Sequence, residues 1–429
     1  MSIQQVQSRG IYHGLPVFPD DIEGLTAIIT GANGISGQHM LRVLAQSPER
    51  WSKIYCLSRR PPAIPGGLPS NAKHIPLDFL KEPQEIADVL KKEDVKADYV
   101  FFYSYIQVEP KEGQGLWSNA EEMCEVNTKL LRNFLEALPL ASVKPRRIML
   151  QTGAKHYGLH LGPTSVPQEE TDPRVLIEPN FYYPQEDLLF DYCKQHGIGW
   201  NVARPSFILG AVPDAAMNVC YPLAVYASVC KHMGQPLDFP YDLHSWETPQ
   251  DQSSAMMNGY LEEWAVLTDA AENEAFNACD VSAFTWGKFW QKMAGWYGIE
   301  YKRPDPDAEY REFTVPRKET PRGFGPQSTV RSTFSFVEWA NRPEVQKAWT
   351  ELAEEHDLVE KKFRDIERIF SFTDAAVSNG IMMNFSMDKA HRLGFHGSVS
   401  SSQCILEVFN DFAKLKMIPP VPMVDVRFV

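Results

Sequence analysis

Residues 25–45 constrain the fold more than any other stretch. Leu25-Thr26-Ala27-Ile28-Ile29-Thr30 is short, apolar and rich in β-branched residues, the composition of a strand buried in a parallel sheet. Glycine follows at once in Gly31-Ala32-Asn33-Gly34-Ile35-Ser36-Gly37, a GxxGxxG run. Behind it Ile35, Leu41 and Leu44 recur at helical spacing to about Ala45, before Ser47 and Pro48 stop the pattern. Strand, glycine triplet and helix in that order are what a pyrophosphate site needs. The glycines permit a tight turn and close approach of backbone to phosphate, and the helix N-terminus offers free N–H groups. The stretch therefore predicts dinucleotide binding, with Gly31, Asn33, Gly34, Ile35 and Gly37 at the phosphates.

The type of dinucleotide is read after the second strand, Lys53 to Ser58. An NAD site places an acidic residue there for the ribose 2′-hydroxyl. Here the residues are Ser58, Arg59 and Arg60. Guanidinium groups pair with a 2′-phosphate that a carboxylate would repel, so the expected cofactor is NADPH (NADP+). Asp78 and Phe79 follow a third short apolar stretch, Lys73 to Leu77. Asp78 there suits either the adenine amino group or a loop turn.

The alternation continues with strands expected at Ala97 to Tyr103, Arg147 to Thr152 and Gly199 to Arg204, and helices at Ala120 to Leu138, stopped by Pro139, and at Gln185 to Gln195. This is the α/β pattern of a Rossmann-type doubly wound parallel sheet. After Pro205 the texture becomes mostly helical: Met217 to Met233, an amphipathic stretch Gln252 to Ala270, a Trp-rich stretch Thr285 to Tyr297, and much of Val337 to Leu415. Ala275 to Cys279 reads as one strand returning to the sheet. Tyr301 to Phe334, with Pro304, Pro306, Pro316, Pro321 and Pro326, reads as a surface excursion or long loop. The expected organisation is an N-terminal extension over 1–24, a cofactor domain over 25–210, and a helical substrate-binding region over 211–429 in which 275–280 rejoins the sheet.

Composition narrows the class. The chain has 429 residues, 44% hydrophobic and 23% charged, enough to bury a large core without staples. Its net charge of −13 argues against a nucleic-acid partner, which demands clustered Lys and Arg. Seven cysteines without a CxxC pair suggest reduced, mostly buried thiols. The absence of a long apolar run or a signal-like N-terminus predicts a cytoplasmic protein without a membrane partner. A homodimer is left open.

The reactive residues are expected at strand ends. Gln151-Thr152-Gly153-Ala154-Lys155-His156-Tyr157 follows the strand Ile148-Met149-Leu150, where open α/β sheets place their sites. Asn180-Phe181-Tyr182-Tyr183-Pro184-Gln185-Glu186-Asp187 begins a helix, with Pro184 suited to its first turn. Short-chain dehydrogenases usually carry Tyr-x-x-x-Lys on this helix. Here Glu186 and Asp187 stand four residues past Tyr182 and Tyr183, and the lysine is missing from its usual place.

The two stretches together resemble the progesterone 5β-reductase and iridoid synthase family, an atypical branch of the short-chain dehydrogenases. That family carries its lysine upstream in Thr-Gly-x-Lys-His-Tyr, matched by Thr152 to Tyr157, and its tyrosine in Asn-Phe-Tyr-Tyr-x-x-Glu-Asp, matched by Asn180 to Asp187. Arg204-Pro205-Ser206-Phe207-Ile208-Leu209-Gly210, Phe276-Asn277-Ala278-Cys279-Asp280 and Met387 to Phe395 also match, so the resemblance runs from about Ala27 to Pro420. It implies an extended short-chain dehydrogenase architecture and an NADPH-dependent reductase of an activated C=C bond in a small, apolar enone or enal. Negative charge building on the carbonyl oxygen would be met by a tyrosine hydroxyl. Tyr182 is the expected donor, with Tyr183 as the second choice. Lys155 is expected to hold the nicotinamide ribose and to lower the tyrosine pKa by its charge. Thr152 suits either a contact with cofactor or substrate or a capped strand end, and Ile208 is expected at the cofactor.

Three alternatives share the fold: carbonyl reduction by the same cofactor, a non-redox biosynthetic catalyst, and an NADPH-binding sensor. His156 and His160, four apart, lack a nearby third ligand, and Pro163 argues against a helix there, so no metal is expected. Met382, Met383, Phe385 and Met387 suit helical core packing better than a substrate cover.

Overall fold

A computed structural model describes residues 5–112, 116–214, 216–314 and 329–425. At its centre lie seven strands: β1 (Leu25–Thr30), β2 (Trp51–Ser58), β3 (Ala72–Pro76), β4 (Tyr99–Phe102), β5 (Arg147–Gln151), β6 (Gly199–Pro205) and β7 (Glu274–Ala278). Their spatial order is β7-β6-β5-β4-β1-β2-β3, and every neighbouring pair is parallel. The order reverses direction between β1 and β4. The chain leaves β1 across one face and enters β4 from the other, which opens a crevice at the carboxyl ends of these two strands. Thr30 sits at that opening, and its Oγ1 accepts from the backbone amides of Tyr103 and Ser104.

Helices cover both faces. On one lie α2 (Pro83–Lys92), α3 (Ala120–Leu140) and α4 (Tyr182–His196), burying Ile86, Leu90, Phe134 and Leu189 against Ile28, Val100, Ile148 and Val202. On the other lie α1 (Ile35–Leu44) and α5 (Ala255–Leu267), whose Met40, Leu41, Tyr260 and Leu261 pack with Ala27, Ile29, Phe101 and Met149. The alternation along a strand is visible here: neighbouring residues such as Ile28 and Ile29 serve opposite layers.

Several local expectations change. The stretch read as an amphipathic helix over Gln252 to Ala270 begins as a short strand, Gln252–Ser254, which pairs in parallel with Phe207–Leu209. Its helix, α5, is buried at every residue from Ala255 to Val266. It is packed on all sides, so its polar residues, Glu262 and Glu263 among them, lie inside rather than on a wet face. Pro139 does not end α3, which runs to Leu140; a proline in the last turn removes one hydrogen bond without a following turn to disrupt. The helix α2 lay unread in the sequence, although Pro83 occupies its first position and Ile86, Ala87 and Leu90 form its buried stripe.

Met382, Met383, Phe385 and Met387 are not helical. The segment is extended, with isolated bridges from Met383 to Gln250 and from Phe385 to Gln168. Met383, Phe385 and Met387 are buried while Met382 is exposed, the period-two pattern of an extended chain rather than a helix. Within 301–334, Tyr301–Lys302 pairs with Leu237–Asp238, and Arg311–Thr314 pairs antiparallel with Thr329–Ser332 on the surface. The excursion therefore carries strands; its Pro316, Pro321 and Pro326 lie outside the described residues. The N-terminal stretch forms a hairpin, Val6–Arg9 with Tyr12–Pro16, that buries Tyr12 and Leu15 in the core. Among the described residues no helix is long and apolar enough to cross a membrane.

Candidate active site

The crevice begins at the glycine run. Gly31 has φ +59°, and a Cβ there would lie 2.9 Å from the Tyr103 carbonyl group. A Cβ on Gly37 would lie 2.5 Å from the Gly31 oxygen and 2.8 Å from Ala32 Cα. Both positions exclude any larger residue, the first by conformation and contact, the second by contact alone. Gly34 caps α1 without a side chain, and no acidic residue stands in the first turn. The N-terminus of α1 therefore keeps free amides and an uncompensated positive dipole end. Asn33 and Ile35 flank it, half-buried. This is a cradle whose backbone fits a pyrophosphate.

At the end of β2, Ser58 Oγ donates to the Arg60 carbonyl at 2.7 Å and shapes the turn. Arg59 and Arg60 are exposed. Arg60 reaches across to Asp214 at 3.1 Å, and Arg368 meets the same carboxylate at 2.7 Å. Asp78 Oδ1 accepts from the Leu80 amide at 2.9 Å, so it closes a loop turn. Phe79 does not offer its ring to this rim. The ring is buried against Phe134 and Phe102, at centroid distances of 5.3 and 6.3 Å, because it completes the layer between the sheet and α3.

The chemistry-bearing segments follow β5. Gln151 Nε2 donates to Ser36 Oγ at 2.8 Å, which ties this strand end to the cradle helix. Thr152 Oγ1 donates to the Ala203 carbonyl at 3.2 Å, so its hydroxyl ties the end of β5 to β6. Residues Ala154–Tyr157 and Leu159–Leu161 form two short 3-10 turns, which place Lys155 inside. Ile208 lies half-buried on the strand beside Ser253.

Lys155 and Tyr182 are brought together by Asn180. The Asn180 amide donates to the Lys155 carbonyl at 2.9 Å, and its oxygen accepts from the Tyr182 amide at 3.1 Å. The Lys155 ammonium is 7% exposed at the level of the residue and has no hydrogen-bond partner among the described residues. It lies 5.4 Å from the centre of the Trp117 ring and 3.8 Å from a Glu178 oxygen. Burial lowers its pKa, and Glu178 opposes that shift.

The two tyrosines separate by their partners. Tyr183 accepts from the Val175 amide at 2.8 Å and donates to the His156 carbonyl at 2.6 Å, so its hydroxyl is committed to the framework. No hydrogen bond engages the Tyr182 hydroxyl among the described residues. It lies beside Gly153, where a Cβ would come within 3.1 Å of it. Burial alone pushes the Tyr182 phenol up. Lys155 contributes no opposing shift to it in this structure.

Glu186, in the position that usually carries lysine, is an anchor. It is 2% exposed and pairs with Arg204 at 3.0 Å, Arg174 at 3.1 Å and His156 at 3.4 Å. These partners overcome its burial and pull its pKa down to about 2. The matched residues farther along also turn out to brace the site. Asn277 accepts from the Tyr157 hydroxyl and donates to the carbonyls of Gln168 and Ser386. Asp280 accepts from the Ser254 amide and the Ser401 hydroxyl. The Asn180 clamp and the placement of Trp117 and Glu178 are not legible in the sequence, because their signal is proximity to Lys155, which the linear chain does not display.

Residues 27–314 match the PRISE-like Rossmann-fold domain. The chain is 31% identical over 416 residues to a 3-oxo-Delta(4,5)-steroid 5-beta-reductase of Arabidopsis thaliana, covering 92% of this chain and 93% of the relative. It is 29% identical over 409 residues to an (S)-8-oxocitronellyl enol synthase of Nepeta cataria, with the same coverage. Among solved structures, an epimerase from Methanothermobacter thermautotrophicus superposes with a TM-score of 0.58 at 16% identity, over 92% of this chain and 94% of that one. That last likeness concerns the fold.

Proposed function

This chain belongs to the PRISE-like Rossmann-fold family of the short-chain dehydrogenase superfamily, and from that premise we propose that it is an NADPH-dependent reductase of the activated C=C bond in a small, apolar enone or enal. The observation that carries the reading is that one clamp ties the backbones of two residues whose polar groups are unengaged among the described residues. These groups are the buried ammonium of Lys155 and the hydroxyl of Tyr182, and the clamp is Asn180, at the carboxyl end of β5. By their names, one relative reduces a 3-oxo steroid and the other forms an 8-oxocitronellyl enol.

When bound, NADPH supplies the hydride that reaches the β-carbon. The chain does the rest. The amides around Gly31, Gly34 and Gly37 bind the pyrophosphate, and Arg59 and Arg60 receive the 2′-phosphate. The Lys155 ammonium, with no hydrogen-bond partner among the described residues, would give its N–H donors to the ribose hydroxyls. Tyr182 donates to the substrate carbonyl oxygen and stabilises the enolate charge that develops there. Its raised pKa keeps the phenol protonated, which suits a donor rather than a base. Trp117, Phe372 and Phe207 form a connected aromatic wall beside Lys155, with ring distances of 6.3 and 5.8 Å. Such a wall favours an apolar substrate body and excludes water.

The test is loss of NADPH absorbance against a panel of enones, enals and matching saturated ketones, with product analysis. Saturated carbonyl products from the unsaturated members support the reading. Alcohol products would move it to carbonyl reduction. Tight NADPH binding without oxidation would move it to a sensor or a non-redox catalyst.

A further inference from the structure

Glu178 is a charged group at the site that the reaction above does not use. It lies in the loop before α4, and one of its oxygens faces two residues of the 3-10 turns. That Oε1 is 3.8 Å from Lys155 Nζ and 2.8 Å from His160 Nε2. The first distance is too long for a hydrogen bond and short enough for strong attraction in a site of low hydration. The second is a direct hydrogen bond, with the ring N–H donating to the carboxylate. We propose that Glu178, steadied by His160, is a positioning residue that holds Lys155 in place as a charged donor. The proposal rests on the reading of Lys155 as the residue that receives the cofactor ribose.

The surroundings of the lysine leave Glu178 as its counter-charge. From α3, Cys124 faces Lys155, with Glu121 acting on Cys124 from farther out. Burial raises the Cys124 thiol, which keeps it neutral. From the second 3-10 turn comes His160, and burial lowers its pKa, so the ring is neutral as well. The ring of Trp117 covers another side of Lys155 at 5.4 Å. Among the described residues, Glu178 is the one carboxylate that acts on the ammonium. It does so without occupying any of the three N–H donors. His160 is oriented toward the carboxylate: Nε2 serves Glu178, its Nδ1 is buried without a partner among the described residues, and its ring stands edge-on to Trp117 at 6.1 Å. A carboxylate that bonded Lys155 directly would compete with the ribose; one held back by His160 supplies charge and leaves the donors free.

The test reads the lysine directly. The full chain carries isotope-labelled lysine, the Lys155 signal is assigned by its loss in Lys155→Arg, and its titration is followed by NMR. In Glu178→Gln the proton affinity of Lys155 should fall at least tenfold. The alkaline limb of kcat/KM should move to lower pH by a matching amount. Glu178→Asp keeps the charge on a shorter arm, so it should shift both readouts in the same direction by less, and it serves if the Gln variant does not fold. A purely structural Glu178 would alter stability or activity evenly across pH and leave the titration in place. An unmoved titration together with impaired turnover in Lys155→Met overturns this proposal alone. Full turnover in Lys155→Met overturns both the proposal and the role of the lysine on which it rests.

Discussion

Asn180 fixes Lys155 to Tyr182 through one side chain, donating to the lysine carbonyl at 2.9 Å and accepting from the tyrosine amide at 3.1 Å. The usual short-chain arrangement places lysine and tyrosine on the same helix, one turn apart. Here Lys155 and Tyr182 stand 27 positions apart in sequence, and a buried side-chain amide, 5% exposed, ties their backbones. The helical position left behind holds Glu186, which binds Arg174 and Arg204 instead.

Tyr182→Phe and Tyr183→Phe should fail in different ways. Tyr182→Phe removes an unengaged hydroxyl, so kcat for enone reduction should drop about 10²- to 10³-fold, the cost of losing an oxyanion donor. NADPH affinity and melting temperature should stay close to wild type. Tyr183→Phe removes partners from Val175 and His156 and should cost about 1–3 kcal/mol of stability, the penalty for buried groups left unpaired. Steady-state kinetics and thermal melts on the two variants separate the roles.

Gly37→Ala should weaken NADPH at least tenfold in a fluorescence titration. Its Cβ would meet backbone at 2.5 Å, and no side-chain rotation relieves that contact. The helix would have to withdraw from the Gly31 turn and carry its free amides with it.

Arg59→Ala combined with Arg60→Ala should weaken NADPH far more than NADH. The melting temperature should hardly move, because the Arg60–Asp214 pair is exposed and screened. Equal weakening of both cofactors in a binding titration would show that the arginines do not read the 2′-phosphate.

Glu186→Ala should destabilise the protein by about 3–5 kcal/mol, since it strands a buried guanidinium, Arg204, without its partner. The pH dependence has a definite sign. The folded-state pKa is about 2, below the ordinary carboxylate value of 4.5. The contribution is therefore present above pH 4.5 and is lost as pH falls toward 2. Denaturant titrations across that window should show a steep acid limb in wild type and a shallower one in Glu186→Gln.

Glu262 should act in the opposite sense. Burial inside α5 pushes its carboxyl up to about 8, and it accepts the Tyr103 hydroxyl. The folded state holds the proton more tightly than the unfolded chain, so stability should decline as pH rises from 4.5 through 8. Glu262→Gln keeps the volume and removes the titration, and its melting temperature should vary less over that range.

The parts that were legible in the sequence are those governed by local rules. Leu25 to Gly37 announces a strand, a turn and a helix because burial on two faces demands a continuous apolar run, and because only glycine tolerates the contacts at 31 and 37. The helix Thr285 to Tyr297 was legible for a similar reason: Thr285 caps it by accepting from the Lys288 amide. The stretch 252–270 misled because its polar residues imply a wet face. Tertiary packing removes that face and meets Glu263 with Arg50 and the indole of Trp51. The segment 382–387 misled because a short apolar run does not declare its period until partners such as Gln250 and Gln168 are in place.

By itself, then, the sequence determined the class of sheet, the cradle and the residue types available for the chemistry, since periodicity, glycine spacing and residue identity are properties of neighbours along the chain. Folding bonded the Tyr183 hydroxyl and left that of Tyr182 without a partner among the described residues, turned Phe79 into core, and set Glu178 and Trp117 around Lys155. Those outcomes depend on which hydroxyls are already bonded and which charges lose their water, and both are fixed by groups distant in sequence that meet only when the sheet closes its crevice.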